Sequence, residues 1–314
     1  MMLLELFGGL VYLLLAGDLL VRGSVALAKK AAIPPMVVGL TIVAFGTSAP
    51  ELFVAVGAVL KGHPGLALGN VVGSNIANVL LVLGIPALIY PTLCNQPSIG
   101  RDTALVLGIS LLFTALCFAG PLGRVQGALL TLMLIVILAR QTRRDGNGGL
   151  AGEAEEELQR VLGLPARGHK IALFIALGVI GLPLGAHLML EGAVALAALA
   201  GVPEAVIGLS VVALGTSLPE LATTVVAALH RQSDLALGNV LGSNLFNLLA
   251  IAGVAAIVSP APIPVPPDFL GFDLLVMIGA ALALGYFAWF KGTITRTSGA
   301  TLLGGYATYL FVLF

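Results

Sequence analysis

Charge is what this sequence has least of. Lys, Arg, Asp and Glu make up 10% of its 314 residues, against 59% hydrophobic residues. A soluble domain typically carries about 25% charged residues, because its surface faces water. The shortage excludes an ordinary soluble globular domain. An excess of either sign is missing too: Lys+Arg and Asp+Glu stand at 15 each, which implies no nucleic-acid partner. There are two cysteines, Cys94 and Cys117, and their spacing fits neither a metal site nor a disulfide framework. Cys94 falls in a connection and Cys117 in an apolar run, and both read as unpaired thiols. No basic segment precedes the first apolar run, so that run reads as a span and not as a cleaved signal. Long polar stretches are absent except for one, Gln141–Lys170.

What is abundant is apolar sequence in stretches of about 20 residues, the length that crosses the hydrocarbon core of a bilayer. Ten helices fit, near 3–28, 35–60, 65–89, 101–119, 122–140, 170–199, 204–229, 234–258, 268–290 and 298–314. Glycine, at 40 residues, suits helices that pack closely in lipid. The connections at Ala32–Pro35, Tyr90–Gly100 and Ser259–Pro267 are short and rich in Pro, Gly and polar residues. The polar segment Gln141–Lys170 reads as a linker with a short surface helix.

Positive charge sets the orientation. With the N-terminus outside, the inner side holds Lys29, Lys30, Arg101, Arg140, Arg143, Arg144, Arg160, Arg167, Lys170, Arg231, Lys291 and Arg296. The outer side holds Lys61 and Arg124, and Arg22 lies within the first span. The positive-inside rule therefore predicts both termini outside and a cytoplasmic linker, in a multi-pass protein of the cell (inner) membrane.

The sequence repeats. GLTIVAFGTSAPELFVAV from Gly39 aligns with GLSVVALGTSLPELATTVV from Gly208, and LALGNVVGSNIANVLLVLG with LALGNVLGSNLFNLLAIAG. One offset serves both without a gap, and roughly half the positions are identical. Five spans separate the copies, an odd number, so they run oppositely through the membrane. The expected organisation is a five-helix repeat over 1–142, a cytoplasmic linker over 143–169 and an inverted five-helix repeat over 170–314. At the same offset, Asp18 and Arg22 match His187 and Glu191, and Gly23 matches Gly192. Each polar pair is spaced i,i+4 on one helix face. Either charge neutralisation in lipid or a coupling role accounts for them.

The GTSAPE and GTSLPE elements place Gly, Thr, Ser, Pro and Glu in mid-span. Proline removes a backbone donor and disrupts the preceding turn. Freed carbonyls, such as those of Ala44, Thr47, Ala213 and Thr216, can then face a cation. Thr47, Ser48, Thr216 and Ser217 add hydroxyl oxygens, and Glu51 and Glu220 add carboxylates. An all-oxygen set with two carboxylates suits calcium or sodium and does not suit zinc or copper. In the companion elements, Ser74 and Asn78 share a helix face, as do Ser243 and Asn247. These four are expected in the cavity, and Asn70 and Asn239 are expected to be structural. Gly69, Gly73, Gly238 and Gly242 permit close helix approach. Two carboxylates balance one Ca²⁺ or two Na⁺, and a third Na⁺ leaves one surplus positive charge.

The paired GTSxPE and GNxxGSNxxN elements resemble the alpha repeats of the cation/calcium antiporter superfamily, in its prokaryotic sodium/calcium exchanger branch. The resemblance implies an all-α polytopic fold with ten transmembrane helices in two inverted five-helix repeats. It implies antiport of sodium for calcium by alternating access, commonly three Na⁺ for one Ca²⁺, and so electrogenic. The family's ligands fall on Ala44, Thr47, Ser48, Glu51, Ser74 and Asn78, and on Ala213, Thr216, Ser217, Glu220, Ser243 and Asn247. It also implies that the first and sixth spans form a bundle that slides against the rest. Asn247 stands where potassium-dependent relatives carry Asp. The expected partners are Ca²⁺, Na⁺ and the lipid bilayer, with no cofactor, no nucleic acid and no obligate protein partner. The alternatives are a proton-coupled or broader-specificity divalent cation antiporter and, further off, a cation channel. An intramembrane enzyme is disfavoured, since there is no HExxH and neither GTSxPE serine has an evident His base.

Overall fold

The computed structural model describes residues 2–94, 97–145, 163–199, 214–267 and 269–313. Each of the ten expected positions is helical within those residues. The elements are α1 (Met2–Ala31), α2 (Pro35–Thr47), α3 (Ala49–Leu60), α4 (Pro64–Ile89), α5 (Pro97–Ala119) and α6 (Arg124–Asp145). They continue with α7 (Gly168–Leu199), α8 (Leu218–Leu229), α9 (Ser233–Val258), α10 (Phe269–Lys291) and α11 (Arg296–Leu313). Six of these are long and apolar enough to cross a membrane by themselves, and α2 with α3 forms one further span bent by 45°. The first part of the seventh span, residues 204–213, lies outside the described residues, as do Ala213 and the linker segment 146–162 with its expected surface helix.

The exterior is inverted relative to a water-soluble protein. Phe7, Phe53, Phe290 and Phe311 point outward, Phe311 at 85% exposure, while Glu51, Glu220, Asn78 and Asn247 are buried. That distribution fits a lipid solvent, in which apolar side chains face out and polar groups must find partners inside.

Glycine decides which helices touch. α1 and α7 run antiparallel along their lengths, with Gly9 against Met189, Gly185 against Leu13 and Gly178 against Leu20. A Cβ on Gly178 would stand 2.5 Å from the Leu20 Cβ, so no side chain fits there. The small apolar cluster built on this pair includes Leu13, Leu20, Val25 and Leu182 and reaches Val38, Val43 and Val226. A larger cluster unites the remaining helices, from Met36 and Leu40 through Phe113 to Leu284 and Tyr309. A second close approach joins the repeats: a Cβ on Gly238 would lie 2.5 Å from the Met36 carbonyl, and one on Gly242 2.6 Å from the Ala44 Cβ. The backbones of α2 and α9 are thereby pressed together, and the middle of one repeat lies against the middle of the other.

Two short pairings were not foreseen. Thr92 and Leu93 pair antiparallel with Ile294 and Thr293, and Leu122 bridges Ile263. Each joins a connection of the first repeat to one of the second, and the repeat relates the two pairings to each other: the connection at 92–93 corresponds to that at Ile263, and the one at Leu122 to that at 293–294. They give backbone groups at the helix ends partners that water would otherwise supply.

Candidate ion site

Both GTSxPE elements break at the serine. Ser48 has φ −85° and ψ 6°, and Ser217 has φ −87° and ψ 3°. A new helix starts at the next residue in each case, with Pro50 and Pro219 in its first turn, where a proline is tolerated. These prolines lack the N–H that would have bonded the carbonyls of Gly46 and Gly215. The break is shallow: the Ser48 N–H still reaches the Ala44 carbonyl at 3.0 Å, and the Thr47 hydroxyl, whose one proton also faces Asn239 Oδ1, lies 3.3 Å from the same oxygen. The Ala44 carbonyl is therefore already engaged, contrary to a reading of it as simply freed.

Beyond the breaks, Glu51 and Glu220 sit in the first turns of α3 and α8, 1% and 0% exposed. A helix N-terminus favours negative charge there. Glu220 Oε1 accepts from the Ser48 hydroxyl at 3.0 Å and from the Ser243 hydroxyl at 3.4 Å. So the two repeats meet at one carboxylate. The Oε2 atoms of both glutamates are buried and have no hydrogen-bond partner. A buried carboxylate oxygen without a donor is costly unless something positive faces it.

The companion helices bring the rest. Thr47, Ser48, Ser74, Asn78, Thr216, Ser217, Ser243 and Asn247 are all buried. A widened helical turn begins at Asn78, over Asn78–Val82, and the matching segment Phe246–Ile251 widens around Asn247. Such turns expose backbone groups that a regular helix would use internally. Asn70 and Asn239 act on the backbone. The Asn70 amide donates to the Glu51 carbonyl at 3.2 Å, and the Asn239 amide to the Glu220 carbonyl at 3.5 Å. Each also accepts from the opposite repeat: Thr47 donates to Asn239 Oδ1 at 3.2 Å, and Thr216 to Asn70 Oδ1 at 3.5 Å. Two of the expected cavity threonines are thus tied to the asparagines that pin the glutamate backbone. Among the described residues no group of three or more His, Cys, Asp or Glu gathers as a metal cluster. The candidate donors are hydroxyls, amides and two carboxylates.

The first-span residues behave unequally. Asp18 bonds Arg22 at 2.7 Å, and its other oxygen lies 2.7 Å from His230 Nε2. His187 and Glu191 meet at 3.3 Å and are exposed. The His230 contact was missed from sequence. Nothing in the local pattern links α1 to a residue 212 positions away.

Comparison with known proteins agrees with this architecture. The family model described as "Sodium/calcium exchanger protein" matches residues 2–143 and 170–314. The chain belongs to the sodium/calcium exchanger family. Its fold and family are those of a membrane antiporter for cations including calcium, not of an enzyme. Inner membrane protein YrbG of Escherichia coli is 34% identical over 98% of this chain and 94% of its own length. Sodium/calcium exchanger MaX1 of Methanosarcina acetivorans is 32% identical over 98% of this chain and 96% of its own. A solved structure of the sodium-calcium exchanger NCX_Mj, soaked with Na⁺ and Ca²⁺, superposes with a TM-score of 0.84 at 27% identity. It covers 100% of this chain and 98% of that one. The exchanger-like helical fold expected from the paired motifs is thus the observed one.

Proposed function

We propose that this exchanger moves calcium against sodium by alternating access, at a site built from Ala44, Thr47, Ser48, Glu51, Ser74 and Asn78 and their inverted counterparts. The observation that carries it is the pair Glu51 and Glu220: two buried carboxylates beside helix breaks, each with an oxygen that no protein donor reaches. Hard-cation chemistry supports calcium and sodium as occupants, since hydroxyl, amide and carboxylate oxygens surround the pair. Two ionised carboxylates balance one Ca²⁺, and the surrounding hydroxyls and amides offer room for a third Na⁺. The names of relatives such as MaX1 point the same way. We place the termini outside and residues 143–169 in the cytoplasm, from the distribution of Arg and Lys. The antiparallel pair of α1 and α7 is proposed as the bundle that slides.

Calcium uptake into proteoliposomes, with sodium, potassium or proton gradients imposed separately, tests this. Uptake driven by an outward sodium gradient alone is expected. Uptake driven by a proton gradient in the absence of sodium would establish the proton-coupled alternative instead.

A further inference from the structure

An inverted repeat gives every hydrogen bond between its halves a counterpart, so missing counterparts are informative. Some are intact. Between the halves, Thr47 to Asn239 is mirrored by Thr216 to Asn70; within them, Asn70 to the Glu51 carbonyl is mirrored by Asn239 to the Glu220 carbonyl. Two of those between the halves are not. Asn78 Nδ2 donates to Asn244 Oδ1 at 3.0 Å. The counterpart would run from Asn247 Nδ2 to Asn75 Oδ1, and both of those atoms are buried without any partner. Likewise Ser48 donates to Glu220 Oε1, while Ser217 Oγ and Glu51 Oε2 stand unpaired.

A bound cation explains the unpaired oxygens but not Asn247 Nδ2. That atom is a donor, and a cation beside it would repel it. It needs an acceptor, and the acceptor at the mirrored place, Asn75 Oδ1, is itself empty. Asn75 meanwhile spends its own Nδ2 on the Val71 carbonyl of its own helix, at 2.7 Å. Leaving a buried donor and a buried acceptor apart costs more than pairing them. Only one of the two mirrored contacts is made in this conformation. The pseudo-two-fold axis of an inverted repeat lies in the membrane plane, so exchanging the conformations of the halves exchanges the two sides of the membrane.

We propose that Asn78–Asn244 and Asn247–Asn75 are alternating clasps, one closed in each orientation of the carrier, with Asn244 and Asn75 as positioning residues that set the preferred side of access. The inference rests on the alternating-access reading above. Asn75 and Asn244 stand outside the proposed ligand set, so their removal biases orientation without deleting an ion ligand. Losing one neutral hydrogen bond shifts a two-state balance by about fivefold.

The test uses sealed right-side-out and inside-out membrane vesicles carrying the full chain, with Asn244→Ala, Asn75→Ala and the double variant. Apparent calcium affinity is measured on each face by sodium-driven calcium flux. The expected result is a shift of about fivefold in the outside-to-inside affinity ratio, opposite in sign for the two single variants and cancelled in the double. Shifts of the same sign, or an unchanged ratio, would overturn the clasps, since a merely structural amide affects both faces alike. If an alanine variant fails to accumulate, Asn→Ser at the same position carries the same expectation. If the unaltered chain shows no sodium-driven calcium flux, the exchange reading fails and the clasps fall with it.

Discussion

Glu51 and Glu220 carry the sharpest consequence. Each is a carboxylate held out of water with one oxygen unserved, and the proposed cation would balance its charge. Glu51→Gln or Glu220→Gln keeps the shape and removes the charge. Either substitution is expected to abolish sodium-driven calcium flux while folded protein still reaches the membrane. Calcium should raise the melting temperature of the unaltered chain, with a stabilisation of about 2.7 kcal/mol at a hundredfold excess over Kd. It should do nothing measurable for either Gln variant in the same thermal-shift assay. Near-normal flux in either variant would remove the site assignment. The two glutamates were legible in the sequence because a charged residue beside a proline in a span is rare. That Ser48 of one repeat serves Glu220 of the other was not, since no local pattern pairs residues 172 positions apart.

Among helices, the contact of α2 with α9 is decided by Gly238 and Gly242. Gly242→Ala would push a methyl to 2.6 Å from the Ala44 Cβ, beside the first half of the candidate site. Overpacking of this kind costs about 1–3 kcal/mol. The expected outcome is a lowered melting temperature together with impaired flux. Gly279→Ala serves as the control: Gly279 is exposed and a Cβ there meets nothing within 4 Å. It should be neutral or stabilise by up to about 1 kcal/mol, the usual gain of alanine over glycine in a helix. If both variants behave alike, close packing at Gly242 does not govern the site. Helices α1 and α7 are a separate matter. Their mutual contact is extensive, while Asp18 links α1 to His230 at the end of α8. The sequence showed Asp18 and Arg22 only as a local i,i+4 pair.

For the whole chain, orientation and charge movement are the properties to measure. The proposed topology, read from Arg and Lys, puts residues 143–169 in the cytoplasm. In a background free of Cys94 and Cys117, a cysteine at position 149 should resist an impermeant thiol reagent applied from outside and react once the membrane is opened. Labelling from outside would overturn the topology. Exchange of three Na⁺ for one Ca²⁺ would carry one surplus positive charge, worth about 2.3 kcal/mol per 100 mV. A potassium diffusion potential set with valinomycin, at fixed sodium and calcium, should change both the rate and the final calcium gradient. Indifference of both to that potential would mean electroneutral exchange, with two sodium ions in place of three.

The sequence by itself determined the helical class, the span positions, the inverted repeat and the identity of the polar residues in mid-membrane. These follow from hydropathy over about 20 residues and from one constant offset, and both are written along the chain. The tertiary structure alone decided which polar atoms meet. It tied Thr47 to Asn239 and Thr216 to Asn70, closed Asn78 on Asn244 while leaving Asn247 and Asn75 apart, and brought His230 to Asp18. It also paired Thr92–Leu93 with Thr293–Ile294. The physical reason is the same throughout. A buried polar group takes whichever partner the packing of helices brings within about 3 Å, and that packing is set by glycine contacts between elements far apart in sequence. Two repeats with matching polar motifs specify a symmetric set of partners, and the folded chain engages only part of that set.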